Sequence, residues 1–273
     1  MAETRIQLCG RLIVILAGVR LEDRFPARQG RLVFAFLAAN RSRPVTREQL
    51  VGALWPSEQP AAAETALSAL LSKLRRVVGG EVLAGRSELQ LVLPADALID
   101  LEAASEAIHR AEAAVTRREW ATAWPAARIA LHTSTRGFLV GIEGQWVDEQ
   151  RRLVHDLRVR SLEAVAATAL GMGNHEILSA ERSGRILTEI EPFRESGYRH
   201  LIDALAARDN IAEALRVYEQ LRVLLRERLG VAPGREMQSL HRRLLEATWP
   251  RSPTGSADER ISASARPSDH GSS

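Results

Sequence analysis

A row of polar and basic side chains lies between Thr65 and Arg76 at the three- and four-residue spacings of an α-helix. Its members are Thr65, Ser68, Ser72, Lys73 and Arg76. Thr and Ser hydroxyls form hydrogen bonds with base edges or phosphates and discriminate little between bases, whereas Lys and Arg bind guanine edges or phosphates. These residue types indicate binding of a nucleic acid. A solvated helix face with a basic last turn, which complements the helix dipole, has the same pattern.

Four apolar residues in the same stretch predict the helix that carries this polar row. Leu67, Leu71, Leu74 and Val78 stand at i, i+4, i+7 and i+11. This spacing places them on one stripe that faces a core, and it leaves the polar row on the other side.

A shorter helix is predicted just before this one. Thr46 is followed three residues later by Gln49, which is the pattern of a capping box. Pro56 and Pro60 then end the first helix and begin the next. Two helices joined in this way, with the second basic at its end, are typical of a helix-turn-helix that places one helix in a DNA groove. The stretch 44–76 therefore predicts a transcription factor.

The segment before the helix-turn-helix predicts a small sheet and one more helix. Arg5–Leu21 alternates short apolar runs with glycines and is expected to form two or three antiparallel strands. Arg28–Asn40 has apolar residues at helical spacing, and Asn40 is expected to cap its end. The arginines around this helix are solvated or contact a DNA backbone; they are Arg28, Arg31, Arg41 and Arg43.

A hairpin is predicted behind the helix-turn-helix. Its strands are Val82–Leu83 and Leu89–Leu93, and its turn is Gly85–Ser87. The order of strands, three helices and hairpin is that of a winged helix with an N-terminal sheet. Arg86 stands at the hairpin tip, where a wing approaches a minor groove or a phosphate, although an ordinary turn arginine fits almost as well.

Helical periodicity dominates the chain beyond Pro94. The predicted helices form pairs, namely Trp120–Thr133 with Val147–Leu170, Ile177–Ile190 with Arg194–Ala207, and Ile211–Leu229 with Arg235–Ala247. Such pairs resemble tetratricopeptide-type repeats, which bury their apolar faces by stacking in series. We expect Trp146, Tyr198 and Tyr218 to pack between helices, and Glu195 to form an ion pair with Arg199 at i+4.

The predicted fold class is mainly α with a small β component, in three parts. Residues 1–94 form an N-terminal winged helix, residues 95–249 form a tetratricopeptide-like helical repeat domain, and residues 250–273 form a disordered tail rich in Ser, Pro and Gly. Positive charge belongs to the first part. Residues 1–94 carry 13 Arg and Lys against 8 Asp and Glu, whereas residues 95–249 carry 21 against 23. A basic segment is what neutralisation of DNA phosphates requires.

The sequence lacks features of secreted, membrane or enzymatic proteins. No apolar run is long enough to span a membrane, and the run Leu12–Val19 fits a buried strand better than a signal-peptide core. Cys9 is the only cysteine, which favours a reducing cytoplasm. There is no GxxxxGK(S/T), HExxH or GxSxG motif. Gly171–Gly173 resembles the start of a dinucleotide-binding loop, but it lies between predicted helices and not after a strand. We expect no catalysis, no cofactor and no metal.

Five motifs make the chain similar to a known family. They are LVGALWP at Leu50–Pro56, LSKLRR at Leu71–Arg76, GFLVGIEGQWVDEQRRL at Gly137–Leu153, EPFRESGYRHLIDAL at Glu191–Leu205, and EALRVYEQLRVLLRERLGVAP at Glu213–Pro233. With them the chain resembles the AfsR/SARP-type transcriptional activators, in which an OmpR-like winged helix precedes a bacterial transcriptional activator domain. The resemblance extends to about Trp249, and the motifs of the second domain are the more specific ones.

This resemblance implies a DNA-binding activator that binds direct repeats in promoter DNA and recruits RNA polymerase holoenzyme, often for secondary-metabolite genes. It also implies self-association on DNA through the second domain, and a place in the cytoplasm on the nucleoid. By the same resemblance, the link between the two helices of the helix-turn-helix contacts polymerase. The residues of this link are Trp55, Ser57, Glu58 and Gln59, of which Trp55 is expected chiefly to pack against the helices.

The alternative is a protein-interaction module whose helical repeats bind a partner and whose winged helix is degenerate. The middle of the second helix motivates this alternative, because Ser68, Ala69 and Leu70 offer few groups that read bases. Protection of promoter DNA by the protein would separate the two functions.

Overall fold

The fold is known from a computed structural model that describes residues 3–57 and 59–248, without the side chains of Ala247 and Thr248. Up to Ile99, its elements are β1 (Arg5–Gln7), β2 (Ile13–Leu16), β3 (Val19–Arg20), α1 (Ala27–Ala39), β4 (Val45–Thr46), α2 (Arg47–Leu54), α3 (Ala63–Val78), β5 (Leu83–Ala84), β6 (Glu88–Leu91) and β7 (Leu98–Ile99). The three N-terminal strands, the helix predicted over Arg28–Asn40 and the hairpin are confirmed. The tail predicted over residues 250–273 lies outside the described residues.

Two small sheets frame the three helices. The first has the order β3-β2-β1-β7, in which β1 to β3 are antiparallel and β7 runs parallel to β1. The second has the order β4-β6-β5 and contains the hairpin, so that the strand before α2 pairs with the strand after α3. The run Leu12–Val19 is thus a hairpin of the first sheet, and Val14 is fully buried there. None of the described helices is long and apolar enough to cross a membrane.

Local sequence signals set the three helices of the winged helix. Asn40 caps α1 by donating its side-chain amide to the carbonyl of Phe36 (2.9 Å). The capping box at α2 is complete, since the amide of Gln49 donates to Thr46 Oγ1 (3.2 Å) and the amide of Thr46 donates to Gln49 Oε1 (3.0 Å). These bonds satisfy amide groups that a helix start leaves without partners.

The apolar stripe of α3 is buried as the spacing predicts, and it is wider than predicted. Leu67, Leu71, Leu74 and Val78 are all in the core, together with Ala63 and Leu70. Leu70 was not part of the predicted stripe. Its position three residues after Leu67 and four before Leu74 places it beside the stripe, so its side chain packs inward.

Seven helices follow, and each packs against the next. They are α4 (Asp100–Thr116), α5 (Trp120–Ser134), α6 (Gln145–Met172), α7 (Ile177–Ile190), α8 (Glu195–Ala207), α9 (Ile211–Leu229) and α10 (Arg235–Thr248). All three predicted pairs are in contact. The structure adds α4, which was not predicted as a separate element and which packs against α5 and α6. Alternate helices also touch, as in a stack of repeats.

Tyr198 and Tyr218 pack between helices, as expected. Tyr218 stacks on His241 with ring centroids 4.0 Å apart, and Tyr198 lies in the same apolar cluster. The ion pair expected between Glu195 and Arg199 is not formed. The carboxylate of Glu195 accepts from the amide of Gly234 (3.0 Å), and Arg199 pairs with Glu236 on α10 (3.0 Å). Glu195 and Arg199 thus bind groups at the start of α10 instead of each other.

One apolar core joins the winged helix to the first helical repeats. It includes Phe36 of α1, Ile99 of β7, Phe138 from the link after α5 and Trp146 of α6. The same link pairs with the chain after β1, because the amide of Leu139 donates to the carbonyl of Leu8 (2.9 Å).

A buried carboxylate lies at the centre of this junction. Asp100, the first residue of α4, accepts from the amides of Leu8 (2.7 Å) and Cys9 (3.1 Å) and from Arg136 Nη2 (3.2 Å). Arg136 also donates to the side chain of Gln7 (2.9 Å). Because a buried charge is stable only when it is paired and hydrogen-bonded, this network fixes α4 and the link after α5 to β1.

Candidate nucleic-acid interface

Helix α3 presents one polar face to solvent. The predicted contact residues Thr65, Ser68, Ser72, Lys73 and Arg76 are all exposed, and the apolar stripe on the other side of the helix is in the core. The structure therefore brings these five side chains together on the second helix of the helix-turn-helix. This is the helix that enters the major groove in proteins with this motif.

Arg47, the first residue of α2, crosses to this face and was not predicted as a site residue. Its Nε donates to Glu64 Oε2 (2.8 Å), and its Nη2 donates to Ser68 Oγ (2.7 Å) and to the carbonyl of Glu64 (3.2 Å). These three bonds set the position of α2 against α3. A basic residue directly after the N-cap Thr46 was the available sequence signal.

The wing is a tight hairpin that rests on the end of α3. Gly85 has φ +87°, and a Cβ there would lie 1.8 Å from the carbonyl oxygen of Glu88, so the turn requires glycine. Arg86 is exposed at the tip, as predicted. Arg75, which was not among the predicted residues, donates to the carbonyls of Leu83 (3.2 Å) and Gly85 and so ties the wing to α3.

The link between α2 and α3 has one packed residue and an exposed remainder. Trp55 is half-buried and packs against the apolar core, as expected, while Ser57 and Gln59 are exposed. Glu58, the fourth predicted residue of this link, lies outside the described residues.

Two arginines, Arg28 in α1 and Arg41 just after it, contact the helical part of the chain. Arg41 forms a two-pronged ion pair with Glu102 of α4, with Nε and Nη2 at 2.9 and 2.7 Å from Oε2, and the side-chain hydrogen bond raises the pKa of Arg41. Arg28 donates to the carbonyl of Glu143. Both arginines are thereby committed to the junction between the two parts of the chain.

The described residues contain neither a cluster suited to a metal ion nor a reactive cysteine. No group of three or more His, Cys, Asp or Glu side chains is placed to hold a metal ion in that part of the chain. Burial and the nearby Asp100 carboxylate raise the pKa of the Cys9 thiol to about 12, so this thiol carries no nucleophilic thiolate at neutral pH. Gly171 packs closely against Trp120.

The fold and the exposed face define a winged helix joined to a stack of helical repeats. Residues 99–245, more than half of the chain, match the family described as bacterial transcriptional activator domain. The chain therefore belongs to this family, within the SARP-type transcriptional regulators.

Named relatives agree with this membership. The regulatory protein AfsR of Streptomyces coelicolor is 32% identical over 220 residues, which are 80% of this chain and 22% of AfsR. The regulatory protein DnrI of Streptomyces peucetius is 27% identical over 81% of this chain and 85% of DnrI. The chain thus spans about a fifth of AfsR but most of DnrI.

A solved structure has the same fold. Mycobacterium tuberculosis EmbR, in complex with a low-affinity phosphopeptide, superimposes with a TM-score of 0.78 and 24% identity over 90% of this chain and 65% of that chain. The fold class predicted from the sequence, a winged helix followed by helical repeats, is confirmed.

Proposed function

We propose that this transcriptional regulator is an activator that binds promoter DNA through α3 and the wing. One observation carries the proposal: the polar face of α3 is exposed next to the wing, while every apolar residue of the predicted stripe is buried. Lys73, Arg76 and Arg86 supply the charge for phosphates, and Thr65, Ser68 and Ser72 supply hydroxyls for base edges.

Binding of direct repeats, recruitment of RNA polymerase holoenzyme and self-association on DNA belong to the same proposal. The similarity to SARP-type regulators supports them. Ser57 and Gln59, of the link assigned to polymerase contact in this proposal, are exposed just before α3. In this proposal, residues 1–94 bind DNA and residues 95–249 contact neighbouring protomers, in the cytoplasm on the nucleoid.

Footprinting of the promoters around the gene, with and without RNA polymerase, tests this function. We expect a protected pair of direct repeats, and we expect Lys73→Ala and Arg76→Ala each to weaken binding and to reduce the salt dependence by about one ion. Arg228→Ala, which removes an exposed cation on α9, is the matched control. Absence of protection at every promoter would reject the function, and unchanged binding in both variants would reject the assigned residues.

The helical repeats support a second candidate function, the binding of a partner protein. Alternate helices α4, α6, α8 and α10 line three adjoining hollows. Arg199 and His200 line both the first and the second hollow, and Arg160 lines both the second and the third. His200 is 8% exposed, burial lowers its pKa to about 4, and its ring forms no hydrogen bond with any described group. A neutral imidazole is thus available to a bound peptide. Partner capture by the Lys73→Ala, Arg76→Ala double variant, lost on adding His200→Phe, would favour this function.

A further inference from the structure

Glu64 stands in register with the polar face of α3, although an acidic residue was not expected there. Glu64, Ser68, Ser72 and Arg76 follow one another at intervals of four residues, so that they share one face of the helix. The Glu64 side chain is 65% exposed. It is also the second residue of α3, and the N-terminal residues of such a helix are those that contact base edges.

Arg47 binds only one of the two oxygens of the Glu64 carboxylate. Its Nε binds Oε2, and no described residue donates a hydrogen bond to Oε1. Arg47 itself retains a free group, because Nη1 has no acceptor among the described residues. The pair therefore retains one carboxylate oxygen and one guanidinium nitrogen without a partner among the described residues, on side chains that are 65% and 25% exposed.

We propose that Glu64 is a base-reading residue, which accepts a hydrogen bond from the N4 amino group of a cytosine in the major groove, and that Arg47 is its positioning residue. A carboxylate oxygen is the protein acceptor suited to this amino group. This inference rests on the proposed DNA-binding function and names one base preference of the same surface.

The negative charge of Glu64 explains why a base-reading residue at this position needs Arg47 beside it. DNA phosphates repel an isolated carboxylate, so a lone Glu on this face opposes binding at every sequence. Arg47 cancels that charge and leaves Oε1 free, and its Nη1 is directed to a phosphate beside the base. The Ser68 hydroxyl already accepts from Arg47, so it is left to donate its own hydrogen to a base acceptor one turn further along α3.

Binding of the full chain to an operator and to all its single-base variants tests the inference. For the wild type we expect one position per repeat at which cytosine is preferred about fivefold or more. In Glu64→Ala, that preference disappears and the preferences at all other positions persist. Glu227→Ala removes an exposed carboxylate of α9 and serves as the charge-matched control, with an unchanged profile.

The alternative role of Glu64 is local: a carboxylate that stabilises the start of α3 through the helix dipole. If Glu64 has only that role, Glu64→Ala lowers the affinity equally at all operator variants and also lowers the melting temperature. A uniform loss, or an unchanged profile, in Glu64→Ala therefore overturns the inference while leaving DNA binding intact. If the wild type binds no operator specifically, the proposed function itself fails, and the inference fails with it.

Substitution of Arg47 separates positioning from direct contact. We expect Arg47→Ala to weaken binding at all operators and to relax the cytosine preference. In the Glu64→Ala background, Arg47→Ala then changes no base preference and lowers affinity less. Equal effects of Arg47→Ala on the base preference with and without Glu64 overturn the positioning role.

Discussion

The rings of Phe36 and Trp146 lie 4.9 Å apart between centroids, at an angle of 49°, across the junction of the winged helix and the helical repeats. Phe36 belongs to α1 and Trp146 to α6, and Trp146 also meets Phe138 edge-on at 5.6 Å. Since such pairs contribute more than their buried area alone, the junction is packed in the manner of a domain core. The winged helix and the helical repeats therefore share stability.

Trp146→Ala tests this shared core. Truncation of a buried tryptophan leaves a cavity, and we expect a loss of about 3–5 kcal/mol in the free energy of unfolding. Because the cluster spans both halves, fluorescence and far-ultraviolet dichroism should follow one urea transition in the wild type. Leu153→Ala, at a leucine that is 59% exposed, should change stability by less than about 0.5 kcal/mol. Separate transitions of the two halves in the wild type would contradict the shared core.

The buried Asp100 gives the junction a pH dependence of known sign. Desolvation raises the pKa of Asp100 above its ordinary value of 3.8, against the opposing effect of the Leu8 and Cys9 amides and of Arg136. The folded state then retains this proton to a higher pH than the unfolded state, so the Asp100 contribution to stability falls as the pH rises through the folded pKa.

Asp100→Asn should accordingly destabilise the protein most at acidic pH, and the cost should shrink as the pH rises. At neutral pH we expect about 1–3 kcal/mol, because the amide group replaces an oxygen that accepts hydrogen bonds. Urea titrations at several pH values measure this cost, with the exposed Asp96→Asn as control. A cost that grows with pH would show that the hydrogen bonds outweigh desolvation.

Gly85 makes the wing sensitive to a single methyl group. In Gly85→Ala the new Cβ meets the carbonyl of Glu88, and the backbone is in a region that L-residues rarely adopt, so we expect a cost of about 1–3 kcal/mol or more and weaker DNA binding. Gly52→Ala is the matched control, since it lies in α2 with open space around it and should stabilise by about 0.5–1 kcal/mol. Full DNA affinity in Gly85→Ala would exclude the wing from the interface.

Lys73 is the only lysine in the chain, which makes it a selective probe of the α3 face. Acylation of exposed amines followed by peptide mass spectrometry should modify Lys73 readily in the free protein. Operator DNA should slow this reaction several-fold, whereas a scrambled duplex at the same salt concentration should not. Equal rates with both duplexes would place Lys73 outside the specific interface.

Short-range patterns predicted the helices well because their causes are local. The capping box at Thr46 and the stripe from Leu67 to Val78 both follow from spacing along one helix. The break between α4 and α5 was missed because it contains neither glycine nor proline; Arg118 makes the turn with φ +59°. Leu70 was left out of the predicted stripe because only one row of apolar positions was considered.

Long-range partners could not be predicted from spacing. Arg41 bonds to Glu102, which is 61 residues away in the sequence, and Asp100 bonds to Leu8, which is 92 residues away. Arg47 bonds to Glu64 only because α2 packs against α3. For the same reason, Glu195 prefers the amide of Gly234 to the neighbouring Arg199. In each case tertiary packing brings the partner close, and spacing along the sequence does not predict it.

The parallel pairing of β1 with β7, together with the hold of Asp100 on β1, has a consequence for assembly on DNA. These contacts fix the helical repeats to the winged helix, so in the proposed complex each protomer would project them at a fixed azimuth around the duplex. If the protein binds direct repeats as proposed, successive protomers are related by a shift and a rotation along the DNA axis, and their contact is head-to-tail. Insertion of about 5 base pairs between repeats, half a turn of B-DNA, would turn the two sets of helices to opposite sides and abolish cooperative binding. Insertion of a full turn would bring them back into phase.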